Sequence, residues 1–222
     1  EPKSIFLEIL LKYFSSKSFK RNKKKITLIG NISLIKKEIT KNKYKIIPNE
    51  VSDITKSKNK YVNLIDVKIN KKFRYIDISK YISNCFDKSL AILKKNQNIA
   101  LLNGPVNKKN FLRKKYLGIT EYLAEKTNSK NPVMLIYNKK LSVTPITTHL
   151  PIKYVSKNIN KSKIIKKVKS INSFFVNNLK KKPKIAVLGL NPHCETIERA
   201  GEEQKEIIPA IKKLRSDKLN IT

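Results

Sequence analysis

The chain has 222 residues and is 40% hydrophobic, enough for one large domain or two lobes with a real core, which excludes a disordered tail. Its formal net charge of +34, from 50 Lys and Arg against 16 Asp and Glu, is spread over almost every segment. That spread reads as the drift of an AT-rich genome, because a nucleic-acid surface gathers its cations on one face with stacking aromatics between them. No run approaches the roughly 18 apolar residues of a membrane helix and no secretion signal opens the chain; Cys85 and Cys194 lack metal-ligand spacing and read as reduced thiols of a cytoplasmic protein.

Taken in order, Glu1-Pro2 opens onto a helix pattern in which Phe6, Ile9, Leu10 and Tyr13 recur at helical spacing behind Ser4 as a cap. An α/β domain that starts on a helix implies a strand before it, so missing residues are expected at this end. Residues 25–30 predict a strand, Asn31 a cap, and Ile35 with Ile39 one face of a short helix. A second strand is predicted over 44–47, ended by Pro48; a polar loop follows over 51–60 and a strand over 61–69. Ile78, Ile82, Cys85, Phe86 and Leu93 mark a longer amphipathic helix, with Cys85 as a small core residue.

Residues 99–102 predict a short buried strand ending in Asn103-Gly104-Pro105-Val106-Asn107-Lys108, which places Lys108 where an ammonium would hold an anionic group. Gly118-Ile119-Thr120-Glu121 leads into a helix, with Thr120 either its N-cap or facing a ligand. Two strands over 132–137 and 141–146 predict a hairpin across 138–140, and the second delivers Thr147-Thr148-His149-Leu150-Pro151. A basic helix turns Ile164, Val168, Ile171 and Phe175 inward.

Residues 185–190 then form a nearly continuous apolar run between Pro183 and Pro192, read as a buried, parallel strand that turns at Asn191-Pro192 and presents His193 and Glu195. Residues 202–214 predict a final helix with acids in its first turn, bases at its end, and Pro209 as a kink. The chain stops at Thr222 without a closing element, so residues are expected to be missing there too.

The chain holds two histidines, His149 and His193, each just after a predicted strand and beside a proline. Imidazole is the common ligand of divalent metals in catalytic centres, so the pair points to a shared metal site. A third ligand is required, from Glu195, another Asp or Glu, or a residue beyond Thr222. No Gly-x-Gly-x-x-Gly or Gly-Lys-Ser/Thr run supports a Rossmann or P-loop site.

Leu188-Gly189-Leu190-Asn191-Pro192-His193, Thr147-Thr148-His149-Leu150-Pro151, the 103–108 segment and Gly118-Ile119-Thr120-Glu121 occur in an order and spacing that resemble the 4-hydroxythreonine-4-phosphate dehydrogenase family of pyridoxal phosphate biosynthesis. Glu202-Glu203 with Ile207-Ile208-Pro209 resembles the helix after its metal-binding loop, and Glu1-Pro2 the remains of its opening segment.

The resemblance implies an isocitrate/isopropylmalate-dehydrogenase-like fold of two α/β lobes, incomplete here: 1–100 for the first and 101–222 for the second. It implies a homodimer with shared active sites, a small phosphorylated substrate, NAD, and a divalent metal (Zn, Mg, Mn or Co) on His149 and His193, with Thr120 at the substrate. The reaction implied is NAD-dependent oxidation of a secondary alcohol followed by loss of carbon dioxide from the β-keto acid.

Ile119 stands where the family has a histidine, and residues 194–199 replace its glycine-rich segment. A third histidine ligand and further Lys, Asn and Arg contacts would lie beyond residue 222, so these residues alone are expected to be inactive. Three alternatives remain: a related dehydrogenase of another phosphorylated hydroxy acid, a basic nucleic-acid-binding protein on the same scaffold, and an inactive paralogue used as a dimer partner.

Overall fold

The first helix forms where the apolar spacing predicts it, but it buries Leu11 and Phe14 and leaves Ile9 exposed. The computed structural model describes residues 1–2, 4–69, 75–96, 98–112, 115–191 and 201–222, and divides into two units, Glu1–Gly118 and Ile119–Thr222. Helices and short parallel pairings make the chain α/β. Among the described residues no helix is long and apolar enough to cross a membrane.

In the first unit α1 (Ile5–Phe14) buries Leu11 and Phe14, and α2 (Lys17–Arg21) brings Phe19 edge-on to Phe14 with ring centroids 4.9 Å apart. Ser4 holds the cap position, but its hydroxyl donates back to the Glu1 carbonyl at 2.9 Å instead of capping the helix. Strand β1 (Thr27–Gly30) leads through Asn31 into α3 (Ile32–Lys41), and the Asn31 Oδ1 accepts the Leu34 N–H at 3.1 Å.

With β2 (Pro48–Glu50) and β3 (Val62–Asp66), β1 forms a wholly parallel sheet in the order β1-β3-β2, Thr27 opposite Asn63 and Pro48 opposite Val62. The second strand therefore begins at the proline expected to end it. Pro48 lacks an N–H, which is tolerated at the first residue of an edge strand, and the preceding Ile47 carbonyl takes the Val62 N–H at 3.1 Å.

Helix α4 (Tyr75–Lys95) buries Ile82 and Phe86, and burial pushes the Cys85 thiol up, as suits an inert core cysteine. The neighbouring Tyr81 hydroxyl accepts the Asn31 N–H at 2.8 Å, which ties α4 to the carboxyl end of β1.

Residues 99–102 do not form the expected buried strand. Among the described residues nothing pairs with them, Ile99 is 36% exposed and Leu102 is 79% exposed; a short apolar run becomes a strand only where a partner closes its hydrogen bonds. The loop that follows packs on the chain start. The Asn107 N–H donates to Glu1 Oε2 at 2.6 Å, and a Cβ on Gly104 would overlap the Phe6 ring. Residues 101–118 thus lie in the first unit, which closes with α5 (Lys108–Phe111).

The second unit contains α6 (Ile119–Lys126), α7 (Lys161–Leu179) and α8 (Ile208–Ser216). Asn160 caps α7 through the Lys163 N–H at 2.8 Å, and Lys180 ends it in the left-handed region at φ 54°. The predicted hairpin reduces to one antiparallel rung, Ile136 opposite Val143, closed by hydrogen bonds of 2.8 and 3.0 Å.

Residues 185–190 pair in parallel, as predicted, but only through Ile185 opposite Ile221, and they are not buried on both faces. Exposure alternates along them, with Leu188 82% exposed, so a one-sided core contact replaces the central strand.

Pro209 does not kink a continuous α-helix. A π-helical turn, Glu203–Ile207, precedes α8, in which the Ile208 N–H reaches the Glu203 carbonyl five residues back, and Pro209 falls in the first turn of α8, where its missing N–H is harmless. The core joins Ile164 and Val168 of α7 to Ile207, Ala210, Leu214 and Ile221, with Ile146, Ile185 and Val187 packed against it.

Asp217, just past α8, accepts ion pairs from Lys169 of α7 at 2.6 Å and from Lys213 at 2.8 Å. Lys169, then Lys213, holds its carboxyl below the ordinary range. A folded-state value below the unfolded one, about 3.9, gives stability that is present above that value and lost as pH falls through the folded value. Asp217→Asn is therefore expected to lower the melting temperature near neutral pH, the difference from wild type fading as pH falls below the unfolded value and through the lower folded one. Melts across that range check it; a difference independent of pH would overturn it.

Candidate active site

His149 follows the hairpin's second arm at the surface of the second unit, with a backbone φ of 56°. Lys43, Asn128, Lys180 and Lys218 are also left-handed, and each follows a helix end, where that conformation is routine; Lys60 lies in a turn. His149 ends no helix. Histidine tolerates this region better than most side chains, and a residue held there without a capping role points to a site. Its imidazole makes no hydrogen bond or ion pair among the described residues, so both ring nitrogens are available.

The arm leading to His149 is tied to the unit's core. Ile146 packs against the core, and the half-buried Lys167 of α7 donates from Nζ to the Pro145 carbonyl at 3.1 Å. Burial, then the nearby Lys163, pushes the Lys167 ammonium down.

The second arm, residues 185–191, is anchored by Ile185 and Val187 in the same core and by hydrogen bonds with residues 220–222. At its end Glu203 Oε1 accepts the Leu190 N–H at 3.0 Å, the Asn191 N–H at 3.3 Å and the Asn191 Nδ2 amide at 3.2 Å. Glu203's own N–H, then those of Asn191 and Leu190, holds its carboxyl below the usual range. Sequence reasoning missed this role and took Glu203 only as one of the acids in the first turn of the final helix, complementing its dipole. The available signal was its spacing: Glu203, Ile207, Ala210 and Leu214 share one helical face, and all four are buried.

The two arms meet across a cavity of about 230 Å³, with residues 145–147 on one side, 187–190 on the other, and Ile164 and Ile207 completing the wall. The stretches that run into Thr148-His149 and into Asn191-Pro192-His193 therefore border one space. His193 itself and Glu195 lie outside the described residues.

Thr120 is not among the cavity's described lining residues; it lies half-buried inside the first turn of α6, two residues past the cap position held by Gly118. Ile119 beside it, also half-buried, adds no polar group. Lys108 is exposed at the start of α5 in the first unit, where Asn107 supplies the cap by accepting the Asn110 N–H at 3.2 Å.

Residues 22–222 match the family described as pyridoxal phosphate biosynthetic protein PdxA. A curated 4-hydroxythreonine-4-phosphate dehydrogenase of Sulfurihydrogenibium sp. is 34% identical over 240 residues, which take in 100% of this chain and 70% of that protein. The chain belongs to the PdxA family. Its family is one of NAD-dependent oxidoreductases of pyridoxal phosphate biosynthesis, as the four motifs implied.

The Aquifex aeolicus relative is 39% identical over 126 residues, 54% of this chain and 39% of its own length. The fold is shared with the solved 4-hydroxythreonine-4-phosphate dehydrogenase of Klebsiella pneumoniae, at TM-score 0.86 and 21% identity over 100% of this chain and 71% of that one. A terephthalate 1,2-cis-dihydrodiol dehydrogenase of Burkholderia xenovorans has the fold at TM-score 0.65 and 16% identity, over 99% of this chain and 69% of its own.

The implied metal is tested against the donors present. Among the described residues no three His, Cys, Asp or Glu side chains cluster as a ligand set. Among the described residues His149 alone offers an imidazole donor suited to a divalent cation, on an arm that shares a cavity with the stretch leading to His193.

Proposed function

We propose that this PdxA-family chain oxidises the secondary alcohol of 4-phosphohydroxy-L-threonine with NAD and that the resulting β-keto acid then loses carbon dioxide. The observation that carries the reading is the shared cavity between the two histidine-bearing arms. His149 and His193 would hold the divalent metal, which when bound supplies Lewis acidity at the substrate's oxygen. The two-lobed isocitrate/isopropylmalate-dehydrogenase-like arrangement, cytoplasmic location and a homodimer with shared sites belong to the same proposal.

The chain's own residues act by binding and orientation. Thr120 offers its hydroxyl in the first turn of α6, where helix N–H groups also favour an anion. The redox balance is simple: the carbinol C–H leaves as hydride to NAD, the hydroxyl proton goes to solvent or a base, and the C–C bond to the carboxylate breaks with release of carbon dioxide.

Ile119 favours a second reading, a related phosphorylated hydroxy acid, because it cannot hydrogen-bond a substrate hydroxyl. The complete gene product is expected to reduce NAD with 4-phosphohydroxy-L-threonine, to stop on chelation and to recover with divalent metal. Faster turnover of another phosphorylated hydroxy acid would select the second reading. No NAD reduction with any of them, together with nucleic-acid binding that persists at about 0.15 M salt, would sink both.

A further inference from the structure

Glu203 is 4% exposed, on a helical face otherwise occupied by Ile207, Ala210 and Leu214. A carboxylate left in such a place without partners would be strongly destabilising, and this one takes three N–H donors on Oε1, two of them consecutive backbone amides. Charge-assisted bonds of this kind are about twice as strong as neutral ones. Its other oxygen, Oε2, is buried with no hydrogen-bond partner among the described residues.

The amides it holds belong to Leu190 and Asn191, the last two residues before Pro192-His193 in the chain. The π-helical turn Glu203–Ile207 carries the carboxylate at the head of the face that Ile207, Ala210 and Leu214 continue.

We propose that Glu203 is a positioning residue for the metal site: by fixing the backbone at Leu190 and Asn191 it sets how the chain enters Pro192-His193. Outer-shell groups that orient a ligand commonly change metal affinity or activity by about 10–100-fold when removed. The inference rests on the reading of His149 and His193 as metal ligands.

The test uses Glu203→Gln and Glu203→Ala, with His149→Asn and His193→Asn alongside. Co(II) titration of the metal-free protein, followed by its visible absorption, reads affinity and ligand geometry without turnover. Amide hydrogen exchange at Leu190 and Asn191 reads the clamp itself. Glu203→Gln keeps the shape and one acceptor oxygen, so it carries the test if Glu203→Ala does not fold. It is expected to bind Co(II) about 10-fold or more weakly, with faster exchange at both amides.

Loss of thermal stability with wild-type Co(II) affinity would leave Glu203 a purely structural role and overturn the inference. If the histidine variants lose Co(II) binding while the Glu203 variants keep it, the positioning role alone fails. If the histidine variants also bind as wild type does, the metal reading fails and takes this inference with it.

Discussion

His149→Asn is expected to reduce NAD turnover by about 1,000-fold while leaving the protein folded. The estimate follows from several kcal/mol of Lewis-acid stabilisation at about 1.36 kcal/mol per tenfold in rate. Asparagine is chosen because it also tolerates positive φ, so the backbone at 56° is kept and only the imidazole is removed. His193→Asn is expected to act in the same direction. Steady-state kinetics at saturating metal, with thermal melts as the control, decide the matter. Turnover within about threefold of wild type for either variant would remove that histidine from the metal site.

The largest stability effect is expected at Asn63, which is fully buried near the amino end of β3. Its Oδ1 accepts from Asn49 Nδ2 at 2.7 Å and from the Lys58 N–H at 2.8 Å, while its own amide donates to the carbonyls of Ile26 and Lys58, both at 2.9 Å. The side chain therefore closes the amino ends of all three strands and the turn before β3. Asn63→Leu preserves volume and strands these groups at roughly 1–3 kcal/mol each where they stay dry.

A total loss of about 3–5 kcal/mol is expected, a large part of a single unit's stability. Asn63→Asp keeps the acceptor but turns an oxygen towards two carbonyls, and is expected to be at least as damaging at neutral pH. Urea melts at both substitutions test this. A loss below about 1 kcal/mol would mean that water reaches the groups and that the network matters little.

Much of this chain was legible before its coordinates. Helix faces such as Ile164 with Val168 of α7, and the Asn31 cap, follow from spacing and local hydrogen bonding that few tertiary contacts override. The four motifs were legible for the same reason, being short and ordered. Short apolar runs were not. Residues 99–102 and 185–190 have strand composition, but pairing and two-sided burial depend on what lies beside them, which local composition does not encode. Pro48 illustrates the same point: the rule that proline interrupts a sheet gives way at an edge strand's first residue.

The site shows a similar split. His149 stood out by residue type and by its place after a strand, whereas its left-handed backbone is a property of the turn that no single residue announces. Glu203 was hidden because an acid near a helix start has an adequate surface explanation, and only its register with Ile207, Ala210 and Leu214 contradicts that explanation.

The parallel sheet of the first unit has a further consequence. Both outer strands, β1 and β2, find their hydrogen-bond partner only in β3, the last of the three to be made. During synthesis on the ribosome β1 and β2 thus emerge before the strand that joins them. Until Asp66 clears the exit tunnel, Leu28 lacks its partner in β3, and α1 and α3 supply the apolar neighbours that shelter it from aggregation.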